Sequence, residues 1–165
     1  MGVRRVVIAD FPWVLFRTAS GQARLVIDRC AHRHVPLSAG QVCGESIECR
    51  YHGWRYAGDG QLVAVPALGA GAAPDCKLDA MQVTEAQGFI WATQLNTSSL
   101  PPQFVHFNEA GWTSFVMEST FPASVEACLE NFLDCPPATF VHRYWFRSPT
   151  ASPVQAEVRH LPDGA

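Results

Sequence analysis

Two short segments, Cys30-Ala31-His32 and Cys49-Arg50-Tyr51-His52, each join one thiol to one imidazole, with sixteen residues between them. Nothing else in the sequence restricts the fold as strongly. If these four soft donors act together, the chain must turn sharply at each pair and return on itself in between. Six cysteines are present in all, the others being Cys43, Cys76, Cys128 and Cys135. Their meaning depends on compartment. The apolar run Val6–Ala9 is cut short by Asp10 and Pro12 and precedes no small-residue cleavage site, so it reads as a strand and not as an export signal. Gly2 lacks the Ser or Thr at position 6 that myristoylation needs. A cytoplasmic location is therefore expected, where cysteines argue for metal or thiol chemistry over a disulfide framework.

Composition narrows the class further. With 165 residues, 48% hydrophobic and only 16% charged, the chain can bury roughly 70% of its unfolded surface and is expected to be ordered. A formal net charge of -3 gives no general basic field for nucleic acid. No apolar run reaches the ~18 residues of a membrane helix. The charge content is well below the usual value of about 25%, which is expected where some surface is meant for a partner or for further chain.

Residues 1–95 read as short strands joined by turns. The expected strands are Val6–Ala9, Phe11–Arg17, Arg24–Ile27, Glu45–Cys49, Gln61–Val65 and Gly88–Ala92, with Gly58-Asp59-Gly60 as a hairpin turn and Ala67–Pro74 as loop. Residues 96–122, with their Asn, Ser, Thr and Pro101-Pro102, read as a connecting arm. Ser124 is a good N-cap, and Val125, Cys128, Leu129, Phe132 and Leu133 follow at helical spacing, which predicts a helix with one buried face ended by Pro136-Pro137. Val154–Arg159 alternates like a strand and Pro162-Asp163-Gly164 is a turn. The fold expected is mainly β: an antiparallel β-sandwich, then a helical segment and the start of an α+β domain over 123–165.

The donor set has two chemical readings. One is a Cys2His2 zinc site, but zinc motifs usually pair Cys with Cys and His with His, whereas here each pair is mixed. The other is a [2Fe–2S] cluster with both sulfurs on one iron and both imidazoles on the other, so that each loop grips both irons. Neutral imidazoles leave such a cluster less negative than four thiolates would, and its potential rises to roughly −150 to +300 mV from about −400 mV.

The segments Cys30-Ala31-His32-Arg33-His34-Val35-Pro36-Leu37-Ser38-Ala39-Gly40 and Cys49-Arg50-Tyr51-His52-Gly53-Trp54-Arg55-Tyr56 resemble the two cluster loops of Rieske non-haem iron oxygenase large (α) subunits, as does Gly58–Pro66 after them. The respiratory-chain type of Rieske protein fits less well, because it has an additional disulfide-forming Cys in each loop and a Ser after the second His-Gly, where Tyr51 and Trp54 stand here. The resemblance implies Cys30, His32, Cys49 and His52 as cluster ligands and, from the fewer hydrogen bonds to sulfur, a potential low in the range. It implies O2-dependent hydroxylation or demethylation of an organic substrate, a reductase or ferredoxin as electron donor, and a homo-oligomer, the family trimer. His34 is expected to be an ordinary loop residue, and Cys43, Cys76, Cys128 and Cys135 small buried or semi-buried ones.

The same family carries a mononuclear Fe(II) bound by two His and one carboxylate. Its local motif maps onto Asn131, Asp134 and His142, with Asp134 as the electron bridge to a cluster His of a neighbouring subunit and His142 as an iron ligand. The position of the first His ligand is Pro137, which has no lone pair to offer, and the carboxylate ligand falls beyond the sequence. The expectation is a cluster without the second iron. This leaves three functions open: the electron-transfer component of an aromatic-ring-hydroxylating type of mono- or dioxygenase, a stand-alone electron carrier or non-catalytic assembly partner, or a zinc-stabilised binding module.

Overall fold

In the computed structural model, which describes residues 2–69, 73–94, 100–134 and 140–141, the first three strands form a meander. Strands β1 (Arg4–Ile8) and β2 (Phe11–Arg17) pair with Ile8 opposite Phe11. Between them Ala9 and Asp10 both take positive φ, 49° and 65°, the backbone that a two-residue hairpin turn demands. Strand β3 (Ala23–Ile27) pairs antiparallel with β2. The chain then leaves this sheet and builds a second one from β4 (Gln41–Cys43), β5 (Ser46–Glu48), β6 (Arg55–Ala57) and β7 (Leu62–Ala64). It returns as β8 (Ala80–Ala86) and β9 (Phe89–Gln94), giving sheet orders β1-β2-β3-β8-β9 and β4-β5-β6-β7, every pairing antiparallel. The two Cys/His segments belong to the inserted portion: one follows β3, the other joins β5 to β6.

One core serves both sheets. Val14 and Phe16 of β2 and Val26 of β3 pack in one cluster with Leu37, Ile47, Tyr56, Leu62, Val65 and Leu78, and Cys30 and Cys49 lie within it. Each fully buried aliphatic or aromatic side chain contributes about 1.5–3 kcal/mol of transfer free energy, so the cysteines are fixed by the same packing that makes the fold. Gly60, at φ 88°, brings the β6–β7 turn against the chain leading to β8: an added Cβ would stand 2.1 Å from the Leu78 carbonyl oxygen. Only glycine fits there.

The mainly β, antiparallel class matches the expectation. Six strands fall within a few residues of where the sequence put them, and β4, β6 and β8 were not foreseen. Strands of three residues such as β4 and β6 are too short to show a period. In place of a loop throughout 67–74, Pro66–Leu68 forms a 3-10 turn. Among the described residues no helix is long and apolar enough to cross a membrane.

The chain divides into two compact units, Met1–Ser114 and Phe115–Ala165. In the first, residues 100–114 include Phe104, whose ring meets Phe89 and Trp91 at centroid distances of 5.5 and 6.0 Å. The Gln87 side chain holds the Phe104 backbone at both its N–H and its C=O. In the second, α1 (Val125–Leu133) starts at Ser124, whose Oγ accepts the Ala127 N–H at 3.2 Å as an N-cap. The expected burial of its apolar face is not found: Val125, Leu129, Phe132 and Leu133 are 70, 54, 66 and 78% exposed. Apolar spacing records which face a helix offers for burial; here Phe132 meets the Phe121 ring edge-on at 5.9 Å and the face stays largely exposed.

A buried carboxylate ties the two parts of the first unit together. Asp28, just past β3, has a fully buried side chain that accepts the Ser38 N–H at 2.6 Å and the Ser38 hydroxyl at 2.7 Å, with Arg5 Nε at 3.4 Å. Replacing Asp28 by Ala orphans the Ser38 donors beneath the first Cys/His segment and is expected to cost about 2–4 kcal/mol. A fall in the urea midpoint at unchanged slope measures it; no shift would show that the contact is incidental.

Candidate metal centre

The two Cys/His segments adopt the same hydrogen-bonded turn. The Cys30 N–H donates to the Val35 carbonyl (3.0 Å) and its own carbonyl accepts from the His34 N–H (2.9 Å). The Cys49 N–H donates to the Trp54 carbonyl (2.8 Å) and its carbonyl accepts from the Gly53 N–H (3.0 Å). The fifth residue of each turn has positive φ, His34 at 57° and Gly53 at 70°. Gly53 is further constrained, since an added Cβ would lie 2.9 Å from Pro66 Cγ. His34 thus has a backbone task, and its side chain is exposed.

These turns send thiols inward and imidazoles outward. Cys30 and Cys49 are 2% and 3% exposed, while His32 and His52 are exposed. The two imidazole rings lie 4.6 Å apart, centroid to centroid. Trp54 stacks on His32 at 4.7 Å and 9°, and Tyr51 leans on His52 at 3.9 Å. Both rings are therefore oriented by aromatic neighbours of the second turn. Burial, then the nearby His52 and Arg33, hold the His32 pKa below its ordinary value. The shift leaves the ring nitrogens more open to a metal than those of a free imidazole.

Behind the sulfurs stands Tyr56, which is fully buried. Its hydroxyl accepts the Ala31 N–H at 3.1 Å and lies 3.3 Å from Cys30 Sγ, to which it can donate its proton. Burial, reinforced by Cys30, pushes the phenol pKa far above its usual value, so that proton stays in place. Burial also pushes the Cys49 thiol up, against the pull of the Tyr51 backbone N–H, and the adjacent Cys30 thiol adds to the rise. Cys30 Sγ thus has the Tyr56 hydroxyl directed at it. That arrangement suits sulfur carrying negative charge, and a metal supplies the compensation for losing the thiol protons. Among the described residues no three His, Cys, Asp or Glu side chains converge on the position of a single ion. The donors form an inner sulfur pair and an outer nitrogen pair, a set suited to two metals more than to one tetrahedral zinc.

The remaining candidates lie apart. Cys43, Cys76 and Cys128 are free and partly buried. Asp134 caps the C-terminus of α1 with its N–H on the Glu130 carbonyl and is exposed. Pro137 and His142 are outside the described residues. Tyr56 is the residue whose role sequence reasoning missed. No local pattern marks it, because β6 is only three residues long and its partner Cys30 is distant in sequence. Its hydroxyl supplies a sulfur hydrogen bond beyond those the resemblance implies. Replacing Tyr56 by Phe should lower the potential of the loaded chain by tens of millivolts, because a hydrogen bond that strengthens by about 1 kcal/mol on reduction is worth about 40 mV for one electron. Redox titration checks this; an unchanged potential would leave Tyr56 a packing role alone.

A family model described as the Rieske [2Fe-2S] domain matches residues 2–87. Chlorophyllide a oxygenase of Chlamydomonas reinhardtii is 34% identical over 141 residues, 82% of this chain and 21% of that protein. The 4beta-methylsterol monooxygenase of Methylococcus capsulatus is 32% identical over 165 residues, 94% of this chain and 43% of that one. Among solved structures, a variant of Pseudomonas putida NdmA with caffeine superposes with a TM-score of 0.80 at 30% identity, covering 90% of this chain and 46% of its own. The chain thus spans less than half the length of these relatives.

Proposed function

The chain belongs to the Rieske [2Fe–2S] domain family, and on that premise we propose that it is the electron-transfer part of an O2-dependent oxygenase. In this reading Cys30 and Cys49 hold one iron of the cluster and His32 and His52 the other. When bound, the cluster supplies reversible one-electron transfer at a potential above that of all-thiolate clusters. The chain's own residues do the rest. The paired turns set the spacing of the donors, Tyr56 and the Tyr51 amide stabilise negative sulfur, and Trp54 and Tyr51 orient the imidazoles.

The observation that carries the reading is the repeated turn, which buries two thiols and leaves two adjacent imidazoles at the surface. Electrons then enter and leave by the exposed His32 and His52 edges, and the buried sulfurs are shielded from water. The donor is a reductase or ferredoxin, and the working form is a homo-oligomer in which Asp134 bridges to a cluster His of a neighbouring copy. Five described cysteines, all of them free, support residence in a reducing compartment such as the cytoplasm. Purified under nitrogen, the chain should contain two irons and two sulfides and give a Rieske-type EPR signal on reduction. His52→Cys should lower its potential, because a thiolate adds negative charge. One zinc per chain and no labile sulfide would overturn the reading.

Pro137 favours a second reading for the chain as given: an electron carrier or assembly partner without its own catalytic iron. A facial triad needs two imidazoles and a carboxylate, and proline at one ligand position removes an imidazole. Iron analysis should therefore find two atoms per chain and no tightly bound third, and Pro137→His alone should not add one. A third iron accompanied by coupled O2 uptake and product would restore the full oxygenase to this chain.

A further inference from the structure

From the packing of the two sulfurs we infer that Cys30 and Cys49 close into a reversible disulfide when they hold no metal, a modification that shuts the centre until a thiol reopens it. The pairing rests on the fold, and its effect on the centre rests on the cluster reading above. Both side chains lie in one buried cluster, both are free, and Cys30 is a side-chain hydrogen-bond neighbour of Cys49. The turns that carry them repeat one backbone hydrogen-bond pattern, so each sulfur is held from its own loop. Val14, Val26, Ile47 and Leu62 share the cluster. Such apolar surroundings suit a disulfide better than two S–H groups. Bridging also orphans no donor, because the Tyr56 hydroxyl still accepts the Ala31 N–H and still has the Cys30 sulfur beside it. Cys43 and Cys76 are only partly buried, and Cys76 packs against the cluster from outside.

A cleft of about 440 Å³, walled by Gly40, Glu48, Arg50 and Gly53 among others, reaches Cys49 and not Cys30. A low-molecular-weight disulfide, glutathione disulfide being the cellular one, therefore meets Cys49 first. The Cys49 sulfur bonds to one glutathione sulfur, the S–S bond of glutathione disulfide breaks, and the departing glutathione takes the proton that Cys49 gives up. The Cys30 sulfur then attacks Cys49 in the mixed disulfide and releases the second glutathione, which takes the Cys30 proton. The pair has lost two electrons and two protons, and glutathione disulfide has gained them. An excess of thiol runs the sequence backwards. Burial holds the Cys49 thiol protonated, so exchange is slow and is read at equilibrium. A bridged pair offers no thiolate to a metal, so metal and disulfide compete for the same two sulfurs.

The full chain is stripped with chelator and reductant, freed of both under nitrogen, and equilibrated in glutathione buffers of graded composition, with and without urea. Remaining thiols are then blocked with N-ethylmaleimide. Arg29 and Arg33 flank Cys30, while Glu48 and Arg50 enclose Cys49 and leave Cys43 behind. Trypsin with a Glu-specific protease should therefore release residues 30–33 joined to 49–50, lighter than the two thiol peptides by two hydrogens. The fold should favour this bridge by about tenfold or more over the same chain in urea, since it holds the sulfurs together in advance. Cys43→Ser with Cys76→Ser should leave the bridge unchanged. The cluster-loaded chain in the same buffers should show no bridge while its EPR signal lasts. The proposal is overturned by thiols that stay open in the folded chain, by bridges to other cysteines, or by a bridge no more favoured than in urea. A stripped chain whose near-ultraviolet circular dichroism shows it unfolded without urea would overturn it too. A bridge formed in the loaded chain beside an undiminished EPR signal would instead defeat the cluster reading, since other residues would then hold the irons.

Discussion

Two cysteines packed side by side into the protein core are the constraint on which the remaining structure depends. Cys30 and Cys49 pack with Val14, Val26, Ile47 and Leu62, residues of both sheets. The fold therefore cannot be assembled without bringing the sulfurs together. Burial alone pushes a thiol toward its protonated form. At Cys49 the Tyr51 backbone N–H pulls the other way, and the balance links metal uptake to stability. The same turn used twice solves the backbone problem of placing a buried Cys beside an exposed His.

The two sheets divide the work. The five-stranded sheet is a scaffold made of long, well-registered strands, and its hairpins turn at Ala9-Asp10 and Gln87-Gly88, which accept positive φ. The four-stranded sheet consists of strands of three residues, too short to stand alone, and is held by the shared core and by Asp28 beneath the first turn. The second turn joins β5 to β6 of the short sheet and the first leads into it from β3, so the shared core sets the spacing of both.

Much of this was legible in the residues. The mixed Cys/His pairs exposed both turns, Gly58-Asp59-Gly60 the β6–β7 hairpin, and Ser124 the start of α1, because each depends on local chemistry. What stayed hidden depends on distance in sequence. That β3 pairs with β8 across an inserted sheet has no local signature, and neither has the contact of Tyr56 with Cys30, twenty-six residues apart. The apolar face of α1 was read correctly as a face and incorrectly as buried, since periodicity does not say what covers it.

The division of ligands, sulfur on one iron and nitrogen on the other, is tested most directly by pulsed EPR on the reduced chain grown with 15N-histidine. Two nitrogen couplings are expected, with one lost in His32→Ala or His52→Ala if the cluster survives the change. A reduced cluster with no histidine nitrogen coupling, or a chain holding metal but no paramagnetic reduced state, would contradict the assignment.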